Sequence, residues 1–159
     1  VQAVACAEVG SQLISPFVGR IFDWHRKQYD KEFVGIEDPG VLSVIQIFNY
    51  YKKFGHPTEI MAASFRNAGE IKELVGCDLL TIGPKFLEEM QQDFSTIEVK
   101  LLESNAQESN LAKIEMNEPT FRFLMNEDTM ATEKLAEGIR KFSADVRSLE
   151  ELLKNLLTA

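Results

Sequence analysis

An α/β fold with parallel strands joined by crossover helices is what this sequence predicts, and three observations carry the expectation. Short apolar runs recur at 12–18, 58–63 and 78–82, each too short for a helix and each bounded by turn residues or a helix start. Strand and helix patterns alternate three times with short connections, which favours parallel strands and right-handed crossovers. In the first run Leu13, Ile14, Phe17 and Val18 fit an interior strand covered on both faces better than a half-exposed one.

Val1 to Val9 spaces its apolar residues like a helix and stops at Gly10. No capping residue and no initiator Met precede it, so the chain is expected to begin within a helix. Gln12 to Val18 is the first strand. Pro16 removes a ladder donor and marks the end of that strand or a bulge, where neighbouring side chains turn toward a ligand. Ile21 to Glu37 mixes Phe22, Trp24, His25, Arg26, Lys27 and Tyr29 without clear periodicity and reads as a long loop with at most a helical turn. Asp38 caps the next helix with Pro39 in its first turn, and Val41, Val44, Ile45, Phe48 and Tyr51 share its apolar face until Gly55 and Pro57 stop it. Thr58 to Ala63 is the second strand. Asn67 and Glu70 then form a capping-box spacing, with Ile71, Leu74 and Val75 facing inward and Gly76 ending the helix. Asp78 to Ile82 is the third strand, and Pro84 starts a helix on which Phe86, Leu87, Met90 and Phe94 share a face. Leu101 to Asn117 is polar and irregular and reads as surface loop. From Asp128 a long amphipathic helix carries Leu135, Ile139, Phe142, Val146, Leu149, Leu153 and Leu156, with Glu137 four before Lys141 and Glu150 four before Lys154. Its spacing also suits a coiled coil. The chain is thus expected to form one domain over 1–159: β/α units at 1–94, loop and a short helix at 95–127, and a terminal helix at 128–158.

The composition, 45% hydrophobic and 26% charged over 159 residues, is that of an ordinary globular domain. Lys and Arg total 17 against 25 Asp and Glu, a net charge of -8. That balance argues against a nucleic-acid surface and supplies no basic tract for a membrane. No apolar run approaches the roughly 20 residues that span a bilayer, and no charged-then-apolar leader opens the chain, so a cytoplasmic location is expected. Cys6 and Cys77 have no second Cys or His at ligand spacing, which favours reduced, buried thiols over a disulfide or metal.

Chemistry is suggested by Ser15, Phe17 and Arg20 at the end of the first strand, and by Ser64 and Arg66 just past the second. Two strands ending in Ser and Arg imply a shared anion. The planar guanidinium offers paired donors to phosphate oxygens, and backbone N–H groups at the Asn67 helix start are available to the same cradle. The plainer alternative is that each Arg pairs with one of the many carboxylates. His25 and His56 are weaker acid/base candidates, because neither sits at a strand end, and His56 is expected to face solvent.

Ile14-Ser-Pro-Phe-Val-Gly-Arg20, the Asp38-Pro-Gly-Val41 helix start, Met61-Ala-Ala-Ser-Phe-Arg-Asn67 and Val75-Gly-Cys-Asp-Leu-Leu-Thr-Ile82 together resemble class I transaldolase over nearly the whole chain. The departures, at Ala62 and Gly83, are modest. The resemblance implies the C-terminal part of a TIM (β/α)8 barrel followed by a helix packed across it, with the catalytic face at the C-terminal ends of the strands. It assigns Arg20, Ser64 and Arg66 to the sugar phosphate, Ser15 to a hydroxyl of the bound three-carbon unit, and Phe17 to the pocket lining.

It also implies transfer of a dihydroxyacetone unit between sugar phosphates of the pentose phosphate pathway, through a lysine imine supported by an aspartate and a glutamate on other strands. No metal or organic cofactor is implied. No lysine here falls in an expected strand, since Lys27, Lys31, Lys52, Lys53, Lys72 and Lys85 lie in polar loops or on helix exteriors. By the resemblance, the catalytic residues belong to the N-terminal half, leaving this chain a phosphate-binding half-site, inactive alone. A second reading is a non-catalytic phosphate-binding or assembly module working through its long helix. Three strands of a barrel would leave two open edges lined by Leu13, Ile14, Ile60, Leu79 and Leu80, so a homodimer or association with the N-terminal half is expected.

Overall fold

The computed structural model describes residues 1–158; the chain divides into two compact units, the first Val1–Asn117 and the second beginning at Glu118. In the first, strands β1 (Leu13–Ile14), β2 (Glu59–Ala63) and β3 (Leu79–Thr81) form a parallel sheet in the order β1-β2-β3. Leu13 pairs with Glu59 and Ile14 with Ile60, while Met61, Ala62 and Ala63 pair with Leu79, Leu80 and Thr81. The expected α/β class with parallel strands is present.

Pro16 acts as the sequence suggests. The β1 ladder stops at Ile14 and resumes as an isolated bridge between Phe17 and Ala63, with the Ala63 amide donating to the Pro16 carbonyl at 3.0 Å. Proline supplies no donor but loses nothing as an acceptor. The strand is therefore shorter than Gln12 to Val18, and Val18 already belongs to a helix. Ile60 corrects the expectation of an apolar edge: it lies in the central strand and is fully buried. Leu13 and Leu79, on the outer strands, are 39% and 38% exposed.

Helix α1 (Gln2–Glu8) precedes β1, and α3 (Pro39–Phe54) is the helix on which the core is organised. Asp38 Oδ1 accepts from the Gly40 and Val41 amides at 2.7 and 3.3 Å, Pro39 sits in the first turn, and Gly55 closes the helix in the left-handed region. Val41, Val44, Phe48 and Tyr51 are buried on one side and join Val18, Ile60, Ala62, Ile71, Leu74 and Leu101 in a single apolar cluster. A Cβ on Gly40 would lie 2.2 Å from the Val18 carbonyl oxygen, so only glycine lets α3 come this close to the preceding helix.

Two loop expectations and one of solvent exposure are overturned. The segment read as loop from Ile21 is helix α2 (Val18–Tyr29), ending at Asp30 with φ 47°. Its apolar stripe is narrow, with Val18, Gly19 and Phe22 as its buried residues, so the period was masked by the exposed residues between and after them. Arg26 and Lys27 in its last turn complement the helix dipole. Leu101–Asn117 is not plain surface loop: Leu101 is buried, its amide and that of Lys100 donate to the Val75 carbonyl, and α6 (Glu103–Glu108) packs Ala106 against α3. His56 does not face solvent, because its ring stacks on Tyr50 at 5.7 Å between centroids and its Nε2 is buried.

Helix α4 (Ala68–Glu73) follows β2, and α5 (Pro84–Gln91) follows β3. Phe94 lies past α5 and is 95% exposed rather than on its inner face. Cys6 and Cys77 are free thiols, half-buried, and burial pushes the Cys77 thiol up while Sγ donates to the Ile60 carbonyl at 3.4 Å.

The second unit holds α7 (Glu118–Glu127) and α8 (Thr129–Thr158). Asp128 caps α8 by accepting from the Ala131 amide at 2.9 Å. Glu137 bonds both Lys134 and Lys141, as its spacing suggests. The stripe of Leu135, Ile139, Phe142, Val146, Leu149, Leu153 and Leu156 is exposed along the helix. No helix of the described residues is long and apolar enough to cross a membrane.

Candidate functional site

The five residues singled out by the sequence gather where β1 and β2 end. Ser15, just past β1, donates from Oγ to the Met61 carbonyl of β2 at 2.9 Å, a bond that ties the strand ends while leaving oxygen lone pairs free to accept. Phe17 stands extended at the N-cap of α2 and is 37% exposed. The Arg20 guanidinium lies 4.4 Å over the Phe17 ring centroid, which orients the cation without consuming its donors.

Ser64 is the geometric pivot. It is one of the two non-glycine residues with positive φ among the described residues, at 66°. The left-handed conformation turns its carbonyl toward α2, where it accepts from the Gly19 amide at 2.8 Å and from Arg66 Nη1 at 3.1 Å. Ser64 Oγ accepts from the same Nη1 at 3.2 Å. A Cβ at Gly19 would sit 2.2 Å from the Ser64 carbonyl oxygen and 2.5 Å from Arg66 Nη1, so the site requires glycine there.

Arg66 is held from the other side by Asp23 of α2, whose Oδ2 accepts from Nε at 3.1 Å and Nη2 at 2.7 Å. These bonds, with the Asp23 charge, raise the guanidinium pKa and fix its plane. Read as loop, residues 21–37 give Asp23 no fixed place, and the sequence alone does not single it out. On a helix, its position three residues after Arg20 would have put it near the same end.

The helix-start amides proposed for the cradle are partly occupied. Asn67 Oδ1 accepts from the Glu70 amide at 3.0 Å, and Glu70 Oε2 accepts from the Arg66 amide at 2.7 Å. The capping-box spacing is real, but the glutamate reaches one residue further back than the cap. Glu70 and Asp38 are each only 1% exposed. Burial raises the Glu70 carboxyl to about 7, with the Asp38 charge adding to it, and burial also raises Asp38. Neither carboxylate was recognised from sequence as more than a cap. His25, by contrast, donates from Nδ1 to the Ile21 carbonyl at 3.0 Å and packs beside Trp24 and Tyr29. These three partners all lie on its own helix.

Two arginines and two serines gathered where parallel strands end, one guanidinium clamped and the other laid on an aromatic ring, define an α/β protein with a cluster of cationic and hydroxyl donors at its strand ends. The model of the Transaldolase/Fructose-6-phosphate aldolase family matches residues 1–153, and the chain belongs to that family. It is 56% identical over 157 residues to "Probable transaldolase" of Drosophila melanogaster, covering 98% of this chain and 47% of that protein. It is 58% identical over 153 residues to "Transaldolase" of Homo sapiens (96% and 45%) and 54% identical over 156 to "Transaldolase" of Marinomonas sp. (98% and 49%). The chain spans about half the length of the curated relatives it matches. The class I transaldolase resemblance read from the strand-end motifs is borne out.

Proposed function

We propose that this chain is the phosphate-holding part of a transaldolase, a transferase that moves a dihydroxyacetone unit between sugar phosphates through a lysine imine. In this reading the parallel sheet is part of a (β/α)8 barrel, the lysine nucleophile lies outside these residues, and residues 1–159 act as one functional domain in the cytoplasm. Its partners are a sugar phosphate and either the remainder of the barrel or a second copy of the chain. Arg20 and Arg66 take the phosphate with help from Ser64, Ser15 bonds a hydroxyl of the three-carbon unit, and Phe17 lines the pocket.

The observation that carries the reading is the Arg66 guanidinium, pinned between Ser64 and Asp23 at the end of β2 and beside the start of α2. A surface arginine meant only for solubility has no need of a left-handed serine and a glycine with no room for a Cβ. The sheet strands, Leu13–Ile14, Glu59–Ala63 and Leu79–Thr81, contain no lysine, in keeping with an imine formed elsewhere.

Two measurements test this in the full-length protein. Borohydride reduction with fructose 6-phosphate should leave a mass adduct on a lysine outside Val1–Ala159, and an adduct on Lys52 or Lys72 would overturn the assignment. Arg66→Ala should weaken sugar-phosphate binding by about 1.5 to 3 kcal/mol, or roughly 10- to 150-fold. Calorimetry showing unchanged affinity would remove Arg66 from the site.

A further inference from the structure

Asp38 Oδ2 is a buried carboxylate oxygen with no hydrogen-bond donor, at the N-cap of the helix around which the core is built. Its companion oxygen is fully used by the Gly40 and Val41 amides. The Asp38 carboxyl as a whole interacts with that of Glu70, also buried, whose own oxygens accept from the Arg66 amide and from Asn67 Nδ2 at 3.2 Å. Two ionised carboxylates shut together away from water repel and leave an acceptor orphaned, a costly arrangement. One proton between them removes both problems. A protonated Glu70 keeps its acceptor bond to Arg66 and gains a donor for Asp38 Oδ2.

We propose that Glu70 and Asp38 share a single proton, and that this shared proton is a latch positioning the Ser64–Asn67 turn, and with it Arg66, for anion binding. Glu70 and Asp38 are positioning residues: they act on the Arg66 backbone, while its guanidinium would meet the ligand. The inference rests on the anion-site reading above for its consequence, but not for the latch itself. The chain of contacts is short: the Glu70 carboxyl interacts with the Asp38 carboxyl at the α3 cap and bonds the Arg66 amide, and the Arg66 side chain returns to the Ser64 carbonyl and Oγ.

The charged groups facing the pair are few. Arg66 favours the ionised form of Glu70 and Asp38 disfavours it, while burial outweighs both. From α2, His25 acts on Asp38 in the direction of ionisation. In the 3-10 turn Gly35–Glu37 packed on α4, Glu37 is paired with Lys31 at 3.5 Å. Loss of the proton therefore falls near neutral pH and belongs to the pair rather than to either residue. Above that point the two negative charges push α4 from the α3 cap, and the Arg66 turn loosens.

The test uses sulfate, whose charge is constant where the second ionisation of phosphate would confuse the profile. Sulfate affinity of the full-length protein and the Arg66 backbone amide resonance are followed over about pH 6 to 9, the range bracketing the Glu70 titration. The latch predicts that affinity falls several-fold with rising pH and that the Arg66 amide shifts with the same midpoint. Glu70→Gln keeps a donor toward Asp38 and an acceptor for the Arg66 amide, giving up at most the weaker bond from Asn67, and should bind sulfate with a flat profile. Asp38→Asn, which retains the helix cap and donates to an ionised Glu70, should flatten it as well. Glu70→Ala should bind weakly at every pH. Superposable wild-type and Glu70→Gln profiles, or an Arg66 amide indifferent to pH, would overturn the latch. If Arg66→Ala leaves sulfate affinity unchanged, the anion-site reading fails, and the amide titration alone then decides for or against the latch.

Discussion

Ser64 stores backbone strain where a ligand is expected, and the strain sets opposite expectations for stability and binding. A non-glycine residue in the left-handed region costs about 1 kcal/mol. Ser64→Gly removes that cost but adds a comparable loss of about 0.5 to 1 kcal/mol by loosening the unfolded chain. Near-native stability with weakened anion affinity is therefore the expected outcome, read by urea denaturation and calorimetry. A variant with intact affinity would mean that Ser64 Oγ does not contribute. Glu70 has a pH signature of its own. Its carboxyl holds a proton more tightly in the folded chain, up to about 7, than at its ordinary value of 4.5. The associated stability is present in full below the ordinary value and is lost as pH rises through the folded one. Urea midpoints should fall across that window in the wild type, and Glu70→Gln should remove this part of the slope.

Among the elements, α3 has the clearest energetic prediction. Phe48 is 2% exposed at the centre of its buried face, so Phe48→Ala should cost about 3 to 5 kcal/mol. That is a large part of the about 5 to 15 kcal/mol typical of a folded domain. Thermal unfolding checks it, and a loss below 1 kcal/mol would mean the site collapses around the truncation. The same helix was the most legible in sequence, because Asp38-Pro39 at one end and Gly55 at the other agree with a continuous apolar face. The parallel strands and the strand-end Ser and Arg residues were legible for a similar reason, since each followed an apolar run. Helix α2 was not: Trp24, His25, Arg26 and Lys27 hide a stripe only as wide as Val18 and Phe22. Missing that helix also hid Asp23. The Glu70 to Asp38 contact joins residues far apart in the chain, and no local pattern encodes it.

For the molecule as a whole, β1 and β3 pair on one side only among the described residues, and α8 exposes a long apolar stripe. Association costs about 4 to 15 kcal/mol in lost freedom. At about 25 cal/mol per Å2, burying on the order of 600 Å2 of apolar surface offsets even the upper figure. The isolated 159-residue chain is thus expected to self-associate or to bind the rest of the barrel, and sedimentation over a wide concentration range reads this directly. A single monomeric species at every concentration would show that the outer strands and the stripe satisfy themselves. The close approach at Gly19 has a further consequence for motion. An exposed turn bearing an arginine ordinarily samples many orientations on the nanosecond scale, and a ligand must quench them. Here the Ser64 carbonyl is tied to the Gly19 amide across a gap too narrow for a methyl group, and the guanidinium is tied to Asp23 on the same helix, so both turn and side chain are anchored to helix α2. The order an arriving anion would have to impose is already built into the backbone, and much of its binding entropy is decided before it arrives.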